Sequence, residues 1–461
     1  MLRMQATGAE SLWDEILPVE VKALPDDLAR LDALLADPEL LAPIRARWER
    51  LLTETGRAAG RGRPTIAMDT YVRLMVIKHR SGWGYETLMR EVSDSLHLRR
   101  FCRIGMNERV PDESSVRKLT RRLGSEVVHE ITRELIQKAR REKRFRPRAA
   151  RIDSTVVEAD IRYPTDAGLA ADGVRALARE GRKLAAKINE KRTVVRDRSR
   201  AVGVRMRALT RTIRRRSGEA KAEVLELTKQ TGQMLRASVK EARALAATAR
   251  RRARGRGAKA KLRAAQALEE LADRCEKVTE QIHKRVNGEK ITDRLVSLWD
   301  PDARPIRKGK LGKPNEFGYV DQLCEITQNT KKRARGFILP PQSQIGNPAE
   351  NTLLPDTANE LRNLNITLKE VMVDGGFTTT QTNTALEGLA DEIYIAGRQE
   401  AGSKRTRRRR RRYRTGAEGR ISHLKRGYGL NRSRLKGNEG HQIWDGWATL
   451  TYNAETYTTL G

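Results

Sequence analysis

The feature that most constrains this chain is a long helical interruption. Residues 146–164, "RPRAARIDSTVVEADIRYP", are rich in β-branched side chains and read as a strand. Residues 167–287 then turn helical. Leu268, Leu271, Cys275, Val278 and Ile282 fall at 3-4-3-4 spacing, a heptad stripe. Val224, Thr228, Thr231, Leu235, Ser238, Ala242 and Leu245 repeat a weaker version of it. Breaks at "RRRSGEA" and "RRRARGRGAKAK" predict about three long helices, folded as an antiparallel hairpin or small bundle. Strands resume only after residue 300. A sheet in this chain must therefore be assembled from both sides of an insertion.

The segment after 300 alternates. "EFGYVDQLCEIT" and "RARGFILPPQ" predict two strands, "NPAENTLLPDTANELRNLN" a helix and "TLKEVMVDGGF" a strand ending at glycines. A helix, the strand "DEIYIAG" and a helix containing Glu418 follow. In the last segment Trp444, Trp447 and Leu450 have the spacing of a buried helix face. With the strand near 150 this makes five strands in the order β β β α β α β α. At the other end, residues 1–60 read as helical, with Leu31, Leu34 and Leu35 at core spacing. Residues 69–140 form a second helical block, with Val72, Met75, Val76 and His79 on one face. "VPDESSVRKLTRRLG" carries a start signal, and its Val116 and Leu119 face inwards. Arg117, Lys118 and Arg121 face outwards, as on a DNA-reading helix or an ordinary surface helix. Arg61-Gly62-Arg63-Pro64 reads first as a linker stopped by proline, and also suits a narrow minor groove.

Charge narrows the partners. The 461 residues carry 93 Lys and Arg against 59 Asp and Glu, a net +34. That excess calls for a polyanion, and nucleic acid fits best. No apolar run is long enough to span a membrane, so a cytoplasmic protein is expected. Aromatic residues make up 4% of the chain, too few for single-strand base stacking as the main binding mode. The three cysteines are far apart and the six histidines scattered. A metal would then be held by carboxylates, which favours magnesium or manganese.

Three acids stand out. Asp153 lies inside an apolar strand, where a charge needs a partner. Asp374 ends a strand at Gly375 and Gly376. Glu418 sits on an amphipathic helix with Lys425 two turns further on the same face. Two aspartates on neighbouring strands and a glutamate across them can hold two Mg2+ (or Mn2+) ions for in-line phosphoryl displacement. Arg407, Arg408, Arg409, Arg410, Arg411 and Arg412 lie between the strand "EIYIAG" and the Glu418 helix, as a basic segment that stays mobile until phosphates engage it.

These residues resemble the DDE transposases of bacterial insertion sequences. "DST" at Asp153–Thr155, "DGGF" at Asp374–Phe377 and "RTGAEGRISHLK" at Arg414–Lys425 carry the resemblance. The last fits the pattern Tyr-x2-Arg-x3-Glu-x6-Lys at Arg414, Glu418 and Lys425, with Arg411 in place of the tyrosine and Tyr413 out of register. "GKPNEFGYVDQL" and residues 65–140 add to it, so it spans roughly 60–166 and 300–461. It implies an α/β ribonuclease-H-like catalytic core (146–166 and 300–461) with a mixed five-stranded sheet, an all-α N-terminal DNA-binding and dimerisation domain (1–145) and a helical insertion (167–299). It implies Asp153, Asp374 and Glu418 as metal ligands, and nicking of transposon-end DNA with joining of the 3′-hydroxyl to target DNA. It also implies a homodimer that synapses two terminal inverted repeats. Arg414 and Lys425 would contact phosphates near the cut, with Arg420, Arg407–Arg412, Arg61, Arg63, Arg117, Lys118 and Arg121 as further DNA contacts. A non-catalytic DNA-binding derivative, a nuclease of the same fold and a coiled-coil scaffold are the alternatives.

Overall fold

The computed structural model of the chain describes residues 2–6, 16–56, 64–215, 217–255, 257–307 and 315–460. They fall into two compact units. One comprises Met1–Asp160 and Gly318–Gly461, the other Ile161–Phe317.

The first unit begins with helices α1 (Asp26–Leu35), α2 (Ala42–Thr55), α3 (Met68–Ser81), α4 (Tyr85–Asp94), α5 (Leu96–Phe101), α6 (Glu113–Leu123) and α7 (Ser125–Arg141). Leu28, Leu31, Leu34 and Leu35 form the buried stripe of α1, whose first turn carries Asp26 and Asp27, the acidic sign that a helix N-terminus favours. The α3 helix is buried on every side from Met68 to His79, beyond the single face its periodicity suggests. Its polar residues therefore need internal partners. Fully buried Arg73 reaches the Asp32 carboxylate at 2.7 Å and the Leu35 carbonyl at 3.2 Å. Lys78 lies over the rings of Trp444 (4.0 Å) and Tyr85 (4.8 Å), and burial lowers its ammonium to about 7. On α6, Val116 and Leu119 are buried while Arg117, Lys118 and Arg121 are exposed.

The strand β1 (Ala149–Ala159) follows, and then the second unit: α8 (Asp166–Lys187), α9 (Ser199–Thr212), α10 (Gly218–Arg251) and α11 (Ala258–Val286). Four helices stand where the sequence suggests about three. The extra break lies at 188–198, where Asn189 adopts left-handed φ (+51°) and the Glu190 carboxylate accepts the amides of Arg192 (2.6 Å) and Thr193 (3.1 Å). Both heptad stripes face the core. Leu235, Ala242 and Leu245 of α10 share it with Leu268, Leu271, Cys275, Val278 and Ile282 of α11. Thr228 and Thr231 return their hydroxyls to the carbonyls four residues back, so neither leaves a buried donor unpaired. Gly173 of α8 marks the closest approach, since a Cβ there would stand 2.8 Å from Leu235 and 2.9 Å from Cys275.

Strands of the first unit follow: β2 (Glu316–Thr327), β3 (Phe337–Ile338), β4 (Gln342–Gln344), β5 (Leu368–Val373), β6 (Ala390–Ile395) and β7 (Arg432–Ser433). Interleaved with them are α12 (Leu354–Asn363), α13 (Thr379–Ala385), α14 (Lys404–Gly427) and α15 (Asn438–Thr459). β1 lies between β2, antiparallel to it, and β5, parallel to it; β6 continues parallel to β5. β3 and β4 pair with the far side of β2. The expected strand in "RARGFILPPQ" is only two residues long, because Pro340 and Pro341 have no N–H to donate. The sheet is mixed and the fold α/β. One sheet face, with Ala150, Ile152, Cys324, Ile326, Val371 and Val373, shares a single core with α1–α7 and with Trp444, Trp447 and Leu450 of α15. The opposite face, with Ala149, Met372 and Tyr394, receives Tyr413 of α14.

Leu235→Ala should open a cavity at the seam of the helical unit and cost about 2–5 kcal/mol. Denaturant unfolding followed by helical circular dichroism would measure it.

Candidate active site

The α14 helix contains the arginine run. Ser403 caps it, its hydroxyl accepting from the Thr406 amide at 3.2 Å. Arginine is a good helix former, but six in succession repel one another. Acids on neighbouring elements offset that. Glu370 of β5 takes hydrogen bonds from Arg409 and Arg410, the latter at 2.9 Å, while Glu392 of β6 also pairs with Arg410, and Glu400 with Arg411 at 3.3 Å. The expectation of a mobile basic segment ahead of the helix is corrected: Arg407–Arg412 forms the first half of the helix, and Arg410 is buried. Arg407, Arg408 and Arg412 remain exposed.

A buried carboxylate seats this helix on the sheet. Glu325 of β2 accepts from Arg151 of β1 (2.8 Å), from Arg420 of α14 (3.0 Å) and from the Gly336 amide (3.1 Å). Arg151 also donates to the Tyr413 carbonyl at 3.0 Å. Its guanidinium packs where a Cβ on Gly416 would stand, so the helix crosses β1 at a glycine. The out-of-register Tyr413 is buried, its hydroxyl 2.6 Å from Thr327 Oγ1. Arg420, proposed from sequence as a DNA contact, is an internal partner of Glu325 in this structure.

The three acids occupy the α14 face of the sheet. β1 and β5 pair with Ala149 opposite Glu370 and Arg151 opposite Met372. Asp153 and Asp374 each lie two residues beyond the last pair of this ladder, Arg151 with Met372. Asp153 lines a small cavity together with Ala417, Arg420 and Ile421 of α14. Glu418 follows Ala417. Arg414, itself largely buried, reaches Asp374 Oδ1 at 3.4 Å with one nitrogen and Glu418 Oε1 at 3.3 Å with another. One guanidinium thus joins two of the acids. Both carboxylates are open to solvent, Asp374 at 45% and Glu418 at 63% of the side chain.

The loop after β5 is held from two sides. Asp374 Oδ1 accepts from the Gly375 amide (2.7 Å), and Asn351 Oδ1 from the Thr378 amide (2.8 Å). Neither Gly375 nor Gly376 adopts positive φ. Glycine is needed there for close approach, since a Cβ on Gly375 would stand 2.9 Å from the Ala396 carbonyl and one on Gly376 would clash with Glu350. Beyond Arg151, β1 parts from β5, and β7 joins it only at Glu158. Between those points Lys425 donates to the Val156 carbonyl at 2.6 Å. Among the other sequence candidates, Arg117, Lys118 and Arg121 lie on α6, with Arg117 3.5 Å from Glu113. Arg61 and Arg63 lie outside the described residues. Sequence reasoning missed Arg151, Glu325 and Glu370. The available signal was charge on one face of two apolar strands, Arg151 with Asp153 at a spacing of two and Asp321 with Glu325 at a spacing of four.

Residues 20–122 match the family model of a transposase domain (DUF772). No curated protein and no solved structure matches the chain. The matched segment covers α1–α6 and stops short of the acids. It supports a transposase-family protein, and with it a DNA-cleaving enzyme in general terms. Among the described residues no helix is long and apolar enough to cross a membrane.

Burial alone would raise the Glu370 carboxyl, but hydrogen bonds from Arg409 and Arg410 outweigh it and hold the group below 4.5. A folded-state value below the unfolded one means that the stabilisation is full above about pH 4.5 and is lost as pH falls through the folded value. Glu370→Gln should cost about 1–3 kcal/mol at neutral pH and flatten the acid limb of the stability profile. Urea unfolding across a pH series would read both.

Proposed function

We propose that this chain is the transposase of an insertion element. It binds the terminal inverted repeats, cleaves DNA at the ends and joins the freed 3′-hydroxyls to target DNA. What supports this reading is that Asp153 and Asp374 each follow the end of the β1–β5 ladder by two residues, and that Arg414 contacts both Asp374 and Glu418. The match of residues 20–122 to a transposase domain supports it independently. The strand order, β3 and β4 outside β2, then β1, β5 and β6, supports a ribonuclease-H-like core.

The donor set fits a divalent cation. Oxygen ligands that remain partly open to solvent leave room for water and phosphate oxygens, as magnesium prefers. A guanidinium already bridges two of them, so the site accommodates positive charge. Two Mg2+ (or Mn2+) ions held by Asp153, Asp374 and Glu418 would supply activation of the attacking oxygen and stabilisation of the leaving one. The chain's own residues do the positioning. Arg414 orients Asp374 and Glu418 and offers charge to a phosphate. Lys425, anchored at the opened edge of β1, faces the same side of α14 as Glu418. Exposed Arg407, Arg408 and Arg412 neutralise flanking phosphates, and Arg117, Lys118 and Arg121 of α6 read or grip the end.

In this reading residues 1–145 bind DNA and mediate dimerisation, 146–166 with 300–461 perform catalysis, and 167–299 form a helical insertion that aids synapsis. A homodimer holds two ends at once, on nucleoid DNA in the cytoplasm.

Asp153→Asn, Asp374→Asn and Glu418→Gln should each lower magnesium-dependent cleavage of end DNA by orders of magnitude while end binding persists. Cleavage that survives in Asp153→Asn would overturn the site. Cutting without strand transfer from a pre-cleaved end would mark a nuclease, and binding without cutting by the wild-type chain a non-catalytic protein. Replacing Arg407, Arg408 and Arg412 together by alanine should flatten the slope of log K against log salt by about 2–3, at about 0.9 per phosphate contact. Binding isotherms over a salt series would test that.

A further inference from the structure

A second group of ligand-type side chains lies in the same unit, outside the acids discussed above. Asp321 of β2 and His441 and Asp445 of α15 are completely buried. Their potential ligand atoms all lie within 4.8 Å of one another. His441 Nε2 stands 2.5 Å from Asp321 Oδ1 and 3.7 Å from Asp445 Oδ2. The ring is stacked on Tyr319, nearly parallel at 4.3 Å.

The hydrogen bonding of this group is incomplete. Asp321 Oδ2, His441 Nδ1 and both carboxylate oxygens of Asp445 are buried without a hydrogen-bond partner. So is the hydroxyl of Thr449, one turn beyond Asp445 on the α15 stripe that begins at His441. One imidazole can supply at most two protons to four carboxylate oxygens, and here a single short contact is made. An unpaired buried carboxylate is among the costliest features a fold can retain. Burial, with the charge of Asp321 next in order, pushes the Asp445 carboxyl well above its usual range. These groups lack a cation, or a second proton.

We propose that Asp321, His441 and Asp445 form a structural site for a first-row divalent transition-metal ion, zinc before the others. Two carboxylates would neutralise a divalent charge, and an imidazole nitrogen favours zinc or its neighbours over magnesium. Ligands about 2.0–2.2 Å from zinc in a tetrahedral shell stand about 3.2–3.6 Å apart, so the His441–Asp321 contact opens and the widest separation closes by side-chain movements on the order of 1 Å. The Thr449 hydroxyl is the nearest candidate in sequence for a further ligand. Such an ion would pin α15 to β2. Asp321 is opposite Thr155 of β1, two residues from the Asp153–Leu323 pair. The site would therefore stiffen the strand pair that presents Asp153, without taking part in the chemistry there.

The test uses the full-length chain. Protein unfolded with a chelator is refolded with zinc, manganese, magnesium or no added metal. Metal content is then measured by mass spectrometry and stability by thermal unfolding. Zinc should be retained at about one per chain and raise Tm by about 5 °C or more over the metal-free protein. Asp153→Asn and Asp374→Asn should keep both effects, and Asp445→Asn should lose them. Equal Tm with and without zinc in the wild-type chain overturns the proposal, leaving a carboxyl group that is simply protonated. So does a zinc effect that vanishes in Asp153→Asn or Asp374→Asn, since the ion then sits at the other acids. If Asp445→Asn fails to fold, the wild-type comparison and the two aspartate variants still decide the question.

Discussion

Glu325 has two basic partners on different elements and a backbone amide on a third segment. Arg151 comes from the adjacent strand, Arg420 from α14, and the Gly336 amide from just before β3. Removing such a carboxylate would leave two guanidiniums short of charge in a low-dielectric interior, a loss of about 3–5 kcal/mol for a buried pair. The geometry downstream follows from this anchor. With Arg420 fixed to β2 and Arg151 bonded to the Tyr413 carbonyl, α14 can slide neither along β1 nor away from it. Ala417 then comes to the cavity that Asp153 lines, and Glu418 follows it. The position of the third acid is set by an ion-pair network that itself contains none of the three.

Much of this was legible in the sequence, and for a common reason. Strand and helix signals are local, so β1, β2, β5, β6 and the α10–α11 seam could be read from periodicity alone. Asp153 and Asp374 stood out because a charge in an apolar strand, or one before paired glycines, is locally out of place; their role as metal ligands is a proposal. What escaped was tertiary. Ser403 and the helix propensity of arginine lie in the sequence, but the acids that make six successive arginines tolerable lie on β5, on β6 and in the turn after β6. No local pattern pairs Glu325 with Arg151, more than a hundred residues and a whole helical unit away. His441 looked scattered for the same reason. Its partner Asp445 is one turn away on α15, but Asp321 reaches it only once β2 and α15 are packed.

The basic excess has a structural consequence as well as a functional one. Where cations outnumber acids, buried arginines draw on a limited number of carboxylates, some at the sheet and some among the N-terminal helices. Arg410 takes Glu370 and Glu392, and Arg73 takes Asp32. The uncommitted cations are left on outer faces, where Arg407, Arg408 and Arg412 project from a helix that the sheet holds rigid. Charge presented from an ordered helix loses less entropy on meeting a polyanion than the same charge on a flexible tail. The interior pairing of Arg410 and Arg409 therefore holds their exposed neighbours in place, as the proposed DNA contact requires.

The three carboxylate environments on this face differ in how readily their cations can be exchanged. Glu325 is saturated and buried, so its partners are structural. Glu370 is partly buried and shared by two arginines. Asp374 and Glu418 have one guanidinium between them, at 3.3–3.4 Å, and stand open to water. Ion pairs of that length at exposed carboxylates contribute on the order of 1 kcal/mol or less. Displacing Arg414 from them would cost little, and the displaced guanidinium would remain on a helix anchored elsewhere. The cation and phosphate uptake proposed for this site rests on this combination: acids fixed by a rigid scaffold, and a resident positive charge held only weakly.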